Sequence, residues 1–165
     1  MAGDRHRPDP NRSLVGFRVG DVPYAVPINQ VKEIVSPLPL TELPHAPTAI
    51  AGVADHRGEV VPIVDLRVRF DLPPLADPRK AKWILVDVQG RTVGLIVDRV
   101  TDVFGTGGSE LKPAPLLGGG EEQRGIAGVT VHDGQLTFVL DLSRYESVTS
   151  AVDTGALLRA SGVRR

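Results

Sequence analysis

The sequence predicts a mainly β protein built from two small packed barrels, and three observations carry the prediction. Aromatic residues make up only 4% of the chain, so Val, Ile and Leu must supply most of the buried surface, and β-branched side chains suit a pleated strand. Short alternating apolar runs recur around Gly-containing turn signals. The order of those runs then occurs twice, so one half of the chain can be laid on the other.

Met1–Ser13 is charged, contains proline and has no periodicity, so residues 1–13 read as a tail and the fold is expected from Leu14. Leu14 to Val19 and Val22 to Val26 alternate around Gly20-Asp21 and predict a hairpin. Ile28, Val31 and Ile34 step by three, which predicts a short helical motif leading into a strand. Four prolines at 37, 39, 44 and 47 predict an ordered connection over the surface. The segment Gly52 to Gly58 reads as a turn before an apolar strand, Val60 to Leu66, which Pro62 assigns to an edge or a bulge. Asp71 to Lys82 is a polar, Pro-containing linker. Beyond it come a hairpin turning at Gln89-Gly90, a second three-step series at Val97, Val100 and Val103, and a Gly- and Pro-rich loop from Gly105 to Gly120. The last predicted hairpin turns at His132-Asp133-Gly134, and Gln135 to Leu142 is its return strand.

The repeat aligns in two stretches. Val31 falls on Val100, an offset of 69 (31 to 100), and the same offset places Glu33 on Asp102 and Ile34 on Val103. Gly52 falls on Gly128, an offset of 76 (52 to 128), together with His56 on His132, Gly58 on Gly134 and Asp65 on Asp141. Halves of about 65 residues bury a modest fraction of their surface alone, so two barrels packed against each other are expected. The first is placed at about 14–72 and the second at about 82–145, with exchange of segments between them allowed. The folded domain is set at 14–146. Residues 147–165 are read as a C-terminal tail, in which Ala156-Leu157-Leu158-Arg159 suggests a short helix.

Lys and Arg total 19 against 20 Asp and Glu, a net charge of -1, which offers no global field for a polyphosphate and argues against nucleic acid as a partner. With no cysteine, a disulfide framework, a thiolate nucleophile and a Cys-ligated zinc are all excluded. No stretch approaches the ~18 apolar residues of a membrane span, so a cytoplasmic protein with no direct membrane insertion is expected.

Catalytic signatures are also missing: there is no nucleophile elbow, no metalloprotease helix, no phosphate loop and no dinucleotide fingerprint. The Gly-rich segments at 105–108 and 118–120 read as loops rather than anion cradles. His56 and His132 occupy equivalent turns in separate modules and are read as solvated turn residues rather than metal ligands. Asp65 and Asp141 lie within apolar strands, and their equivalence argues for one structural task performed twice, the acceptance of backbone hydrogen bonds at a strand end. No catalytic residue, metal or cofactor is therefore expected. Arg57, at a Gly-flanked turn tip, reads either as a solvated charge or as an interface anchor.

Several motifs in one order resemble the CheW-like adaptor family of bacterial chemotaxis: Phe17-Arg18-Val19-Gly20-Asp21 with Tyr24, Val31-Lys32-Glu33-Ile34, Gly52-Val53 through Arg57-Gly58, Val61-Pro62-Ile63-Val64-Asp65-Leu66-Arg67, Val93-Gly94-Leu95-Ile96-Val97-Asp98, and Gly125-Ile126-Ala127-Gly128. The resemblance covers about Leu14 to Tyr145. It implies two SH3-like five-stranded barrels and a scaffold without catalysis. The implied partners are the regulatory domain of a CheA-type histidine kinase and the cytoplasmic tip of methyl-accepting chemoreceptors, at receptor arrays. By matching position it nominates Val31, Glu33, Gly52, Arg57, Val100 and Val103 for partner contact. The chain departs from the family at the turn, where Asp55-His56-Arg57-Gly58 replaces the usual Asn-Leu-Arg-Gly. An acid beside Arg57 is expected to tie up its guanidinium or to retune its partner choice. A divergent member that binds kinase without receptor, and a small-ligand module using the cleft between barrels, are the alternative readings.

Overall fold

Ten strands follow one another in the computed structural model, which describes residues 13–106, 111–113, 125–150 and 152. They are β1 Ser13–Val19, β2 Val22–Pro27, β3 Val31–Val35, β4 Ile50–His56, β5 Glu59–Asp65, β6 Lys82–Val88, β7 Arg91–Val97, β8 Arg99–Gly105, β9 Ile126–His132 and β10 Gln135–Leu140. Two one-turn helices, α1 Leu66–Arg69 and α2 Glu146–Thr149, and three 3-10 turns are the other elements among the described residues. The tail before Ser13, the Gly118-Gly119-Gly120 loop and the helix suggested at 156–159 lie outside the described residues.

The strands form two five-stranded sheets, ordered β8-β1-β2-β10-β9 and β3-β6-β7-β5-β4. Each sheet takes strands from both halves of the chain, so the linker at 71–82 separates the halves in sequence without separating the sheets. The repeat offsets exchange the sheets strand for strand. They even carry the bulge between Ile50 and Gly52 on β4 onto the one opposite Val139 and Leu140 on β9 and β10. Arg69 and Tyr145, which the 76-residue offset equates (69 to 145), lie against one another, with the guanidinium carbon 4.3 Å from the ring centroid. A residue can meet its own equivalent only where the two halves face each other across their common axis. Burial there pushes the Tyr145 hydroxyl far above its ordinary pKa.

Alternation along the strands sorts the core into three clusters. Val15, Phe17, Val26, Ile84, Val86, Leu95 and Leu140, with others from both sheets, form the shared layer between them. The opposite faces of the same strands enclose private cores: Leu14, Ala25, Phe104 and Val139 in the first sheet, and Trp83, Leu85, Ile63, Val61 and Ala54 in the second. Equivalent positions differ in size but compensate. Where the first sheet has Leu14, Ala25 and Val139, the second has the larger Trp83 and Ile63 around Gly94. A Cβ on Gly94 would stand 2.5 Å from the Ile63 Cδ1.

The first three-step series is as expected, a 3-10 turn at Ile28–Gln30 leading into strand β3, on which Val31 and Glu33 stand. Val97, Val100 and Val103 span two strands joined at a corner, because a spacing of three also arises where a strand turns. Two local expectations, at Gly52 to Gly58 and at Pro62, are corrected. The Gly52 to Gly58 segment is mostly strand β4, and the turn is only Arg57-Gly58, both at positive φ (53° and 83°) as a two-residue hairpin requires. Pro62 lies on β5, an inner strand rather than an edge. It is tolerated because the parallel ladder to β7 starts one residue later, at Ile63, whereas on β10 the equivalent Phe138 itself pairs with Tyr24.

Asp98, at the corner between β7 and β8, binds the Arg67 guanidinium of α1 in bidentate fashion at 2.6 and 2.8 Å and accepts from the Gly20 N–H at 2.7 Å. That hydrogen-bonded pairing raises the pKa of Arg67 above its ordinary value. The carboxylates of Asp65 and Asp141 accept from the Arg67 and Ser143 N–H groups at 3.0 and 3.1 Å, so both cap the turn that follows their strand. Packing continues past Tyr145: Val152 is buried, and its carbonyl accepts from Arg91 at 3.0 Å.

Candidate partner-binding surface

In an open five-stranded sheet the two edge strands are the farthest apart, yet here they touch. Glu33 stands on β3 and His56 on β4, the two edges of the second sheet, with the His56 Nε2 2.9 Å from the Glu33 Oε2. In the first sheet, Asp102 on edge strand β8 and His132 on edge strand β9 lie 2.6 Å apart. Each sheet is therefore rolled into a barrel whose seam is bridged by an imidazole–carboxylate bond. A carboxylate can only accept, so Nε2 carries the hydrogen in both pairs. The His132 bond lowers the Asp102 pKa, outweighing the opposing effect of burial.

These histidines correct the reading of solvated turn residues. Their side chains are 17% and 25% exposed, and the His132 ring stacks on Phe104 at 3.7 Å, 5° from parallel. Asp133 adds a carboxylate 3.5 Å from the His132 Nε2. The same bond in the other sheet, without a second acid, accounts for the His132 pair as a seam.

At the β4–β5 tip the seam extends to a cation. The second oxygen of Glu33, Oε1, accepts from the Arg57 Nη2 at 3.0 Å, while the Arg57 side chain remains 75% exposed. Asp55, expected to occupy that guanidinium, instead accepts from the Gly58 N–H at 2.9 Å and shapes the turn. The 76-residue offset puts Asp133 at the position of Arg57 (57 to 133), so equivalent tips carry opposite charges.

The six nominated residues fall into separate places. Glu33 and Arg57 meet at the tip. Val31 and Val100 are half-buried against the shared core, and Val103, 56% exposed, stands at the edge of the other sheet. Gly52 is buried, and a Cβ there would land on the Thr41 carbonyl oxygen of the Pro-rich connection, to which β4 is bridged through Val53. Its equivalent Gly128 meets the Lys112 carbonyl oxygen in the same way, at 2.7 Å. Exposed apolar residues that the motifs did not nominate include Ile34, Val131 and Leu136, besides the less exposed Leu40, Val68 and Leu111. Ile34 was within reach of sequence reasoning, because the repeat equates it with Val103. Val131 and Leu136, paired across the β9–β10 hairpin, gave no signal beyond alternation.

The family model for the CheW-like domain matches residues 13–147. The chemotaxis protein CheW of Rhizobium meliloti is 33% identical over 138 residues, 84% of this chain and 89% of the relative. Protein FrzA of Myxococcus xanthus is 35% identical over 126 residues, 76% of this chain and 78% of the relative. The crystal structure of the scaffolding protein TtCheW from Thermoanaerobacter tengcongensis superposes with a TM-score of 0.72 at 26% identity, covering 82% of this chain and 87% of that one. With the rolled, doubled sheets and the matched motifs lying inside that span, the chain belongs to the CheW-like family, the non-catalytic adaptors of chemotaxis and motility signalling.

Proposed function

We propose that the protein couples a CheA-type histidine kinase, through the kinase's regulatory domain, to the cytoplasmic tip of methyl-accepting chemoreceptors, acting in the cytoplasm at receptor arrays. The observation that carries this reading is Arg57 itself, an exposed guanidinium held at a hairpin tip by Glu33, two residues that the family resemblance nominated separately. A planar donor fork held at a defined place suits an interface anchor. Val31, Val100 and Val103 supply apolar contact on their own strands, away from the tip, and Gly52 acts through the backbone it lets approach. No helix among the described residues is long and apolar enough to cross a membrane, in keeping with attachment through protein partners.

Co-sedimentation with the kinase regulatory domain tests the proposal. Arg57→Ala is expected to weaken that complex by about 1–3 kcal/mol while leaving the melting temperature nearly unchanged, because so exposed a side chain contributes little to folding. Parallel losses of affinity and melting temperature would refute the role. Asp55 lends the kinase-only alternative no support, since it bonds the Gly58 N–H rather than Arg57. Reconstituted kinase activity with and without receptor separates the two readings.

A further inference from the structure

We propose that His56 is a positioning residue for Arg57, acting through Glu33. The inference rests on the reading of Arg57 as a partner contact. Glu33 is engaged at both oxygens, Oε2 by the His56 Nε2 at 2.9 Å and Oε1 by the Arg57 Nη2 at 3.0 Å. The terminal torsion of a glutamate is broad when free, and a lone exposed ion pair is too weak to hold a long side chain in one geometry. The imidazole stops that torsion and turns the free oxygen toward the tip. Nε2 must carry a hydrogen to meet a carboxylate, so the arrangement holds with the ring neutral or charged.

The second barrel separates this role from seam closure. Asp102 and His132 make the same edge-to-edge bond, but Asp133 stands where the first barrel has Arg57. If the histidines served closure alone, the two would be interchangeable in their effects. If His56 also aims Arg57, only His56 is coupled to the guanidinium.

The experiment is a double-mutant cycle in the full chain, with a purified CheA-type kinase regulatory domain as the binding partner and the Arg57 guanidinium NMR resonances as a second readout. His56→Leu is expected to weaken binding about 3–10-fold, a size typical of coupling between contacting residues, and to move those resonances toward those of a free guanidinium. In the Arg57→Ala background it costs nothing further. His56→Gln, whose amide can donate to Glu33, restores most of the loss. His132→Leu has the same effect on binding in both backgrounds and leaves the Arg57 resonances in place. Equal cost of His56→Leu in both backgrounds, or unmoved resonances, would overturn the proposal while leaving Arg57 as an anchor. Wild-type affinity in Arg57→Ala would remove the anchor reading and this inference with it. Should His56→Leu not fold, Glu33→Gln takes its place, and retained affinity with unmoved resonances would be the overturning result.

Discussion

Asp141 has a charge that the fold favours: the Ser143 hydroxyl donates to it at 2.6 Å, the Ser143 N–H at 3.1 Å and the Arg144 guanidinium at 3.3 Å. Led by the serine hydroxyl, these bonds hold its pKa below the usual carboxylate value. A carboxylate depressed on folding stabilises the native state above its unfolded pKa, about 4, and that contribution is lost as pH falls through the lower folded value. Asp141→Asn keeps an acceptor for the cap but removes the charge and the oxygen that accepts from Arg144. Its deficit against the parent in urea unfolding is therefore expected to be present at pH 6 and to shrink as the pH falls below about 4, whereas a constant deficit would mean that the charge does not matter. The capping role of Asp65 and Asp141 was legible because one task performed twice leaves the same residue at equivalent places. The seam histidines were misread because their acids lie 23 and 30 residues away, brought near only when the sheets roll. The clue available was that both members of each pair repeat, Glu33 with Asp102 and His56 with His132.

At the scale of elements, hairpins could be read in advance and strand neighbours could not. Turn residues announce themselves locally: Gln89-Gly90 and Asp133-Gly134 have the two positive φ angles of a tight hairpin. The inner placement of β5 depends on where a ladder begins, which no local signal records. The buried glycines test whether the connections seated over β4 and β9 are rigid. Gly52→Ala and Gly128→Ala each aim a methyl group at a backbone carbonyl oxygen, of Thr41 and of Lys112. Backbone cannot swing aside, so a loss of roughly 2 kcal/mol or more is expected for each. Gly94→Ala meets the end of the Ile63 side chain, which can move, and should cost less. Gly58→Ala meets nothing and is strained only by its φ of 83°. Melting temperatures of the four variants should rank in that order, and a Gly52 variant as stable as the parent would show that the Pro-rich connection lifts away.

For the whole molecule, duplication and the all-β class were legible, but the pairing of halves was not. Length and offsets give two similar units, and nothing in either unit states whether its strands pair at home or across the linker. Here β1 and β2 are completed by β8, β9 and β10, and β6 and β7 by β3, β4 and β5. Each half thus contributes strands to both barrels and to the shared core. A protease site placed in the linker between Asp71 and Lys82 is expected, once cut, to leave the two fragments together through size-exclusion chromatography under native conditions, parting only in denaturant. Fragments that separate in plain buffer would contradict the exchange.

The same crossing of strands bears on how the protein is made. A ribosome delivers the amino-terminal portion first, and both hydrogen-bonding edges of the β1–β2 ribbon wait for strands made much later, β8 on one side and β10 on the other. Until those emerge the nascent chain exposes open edges and apolar faces, a condition that invites mispairing with neighbouring chains. Productive folding should therefore wait until β8 and β10 have emerged and be slowed by the long loops that must close.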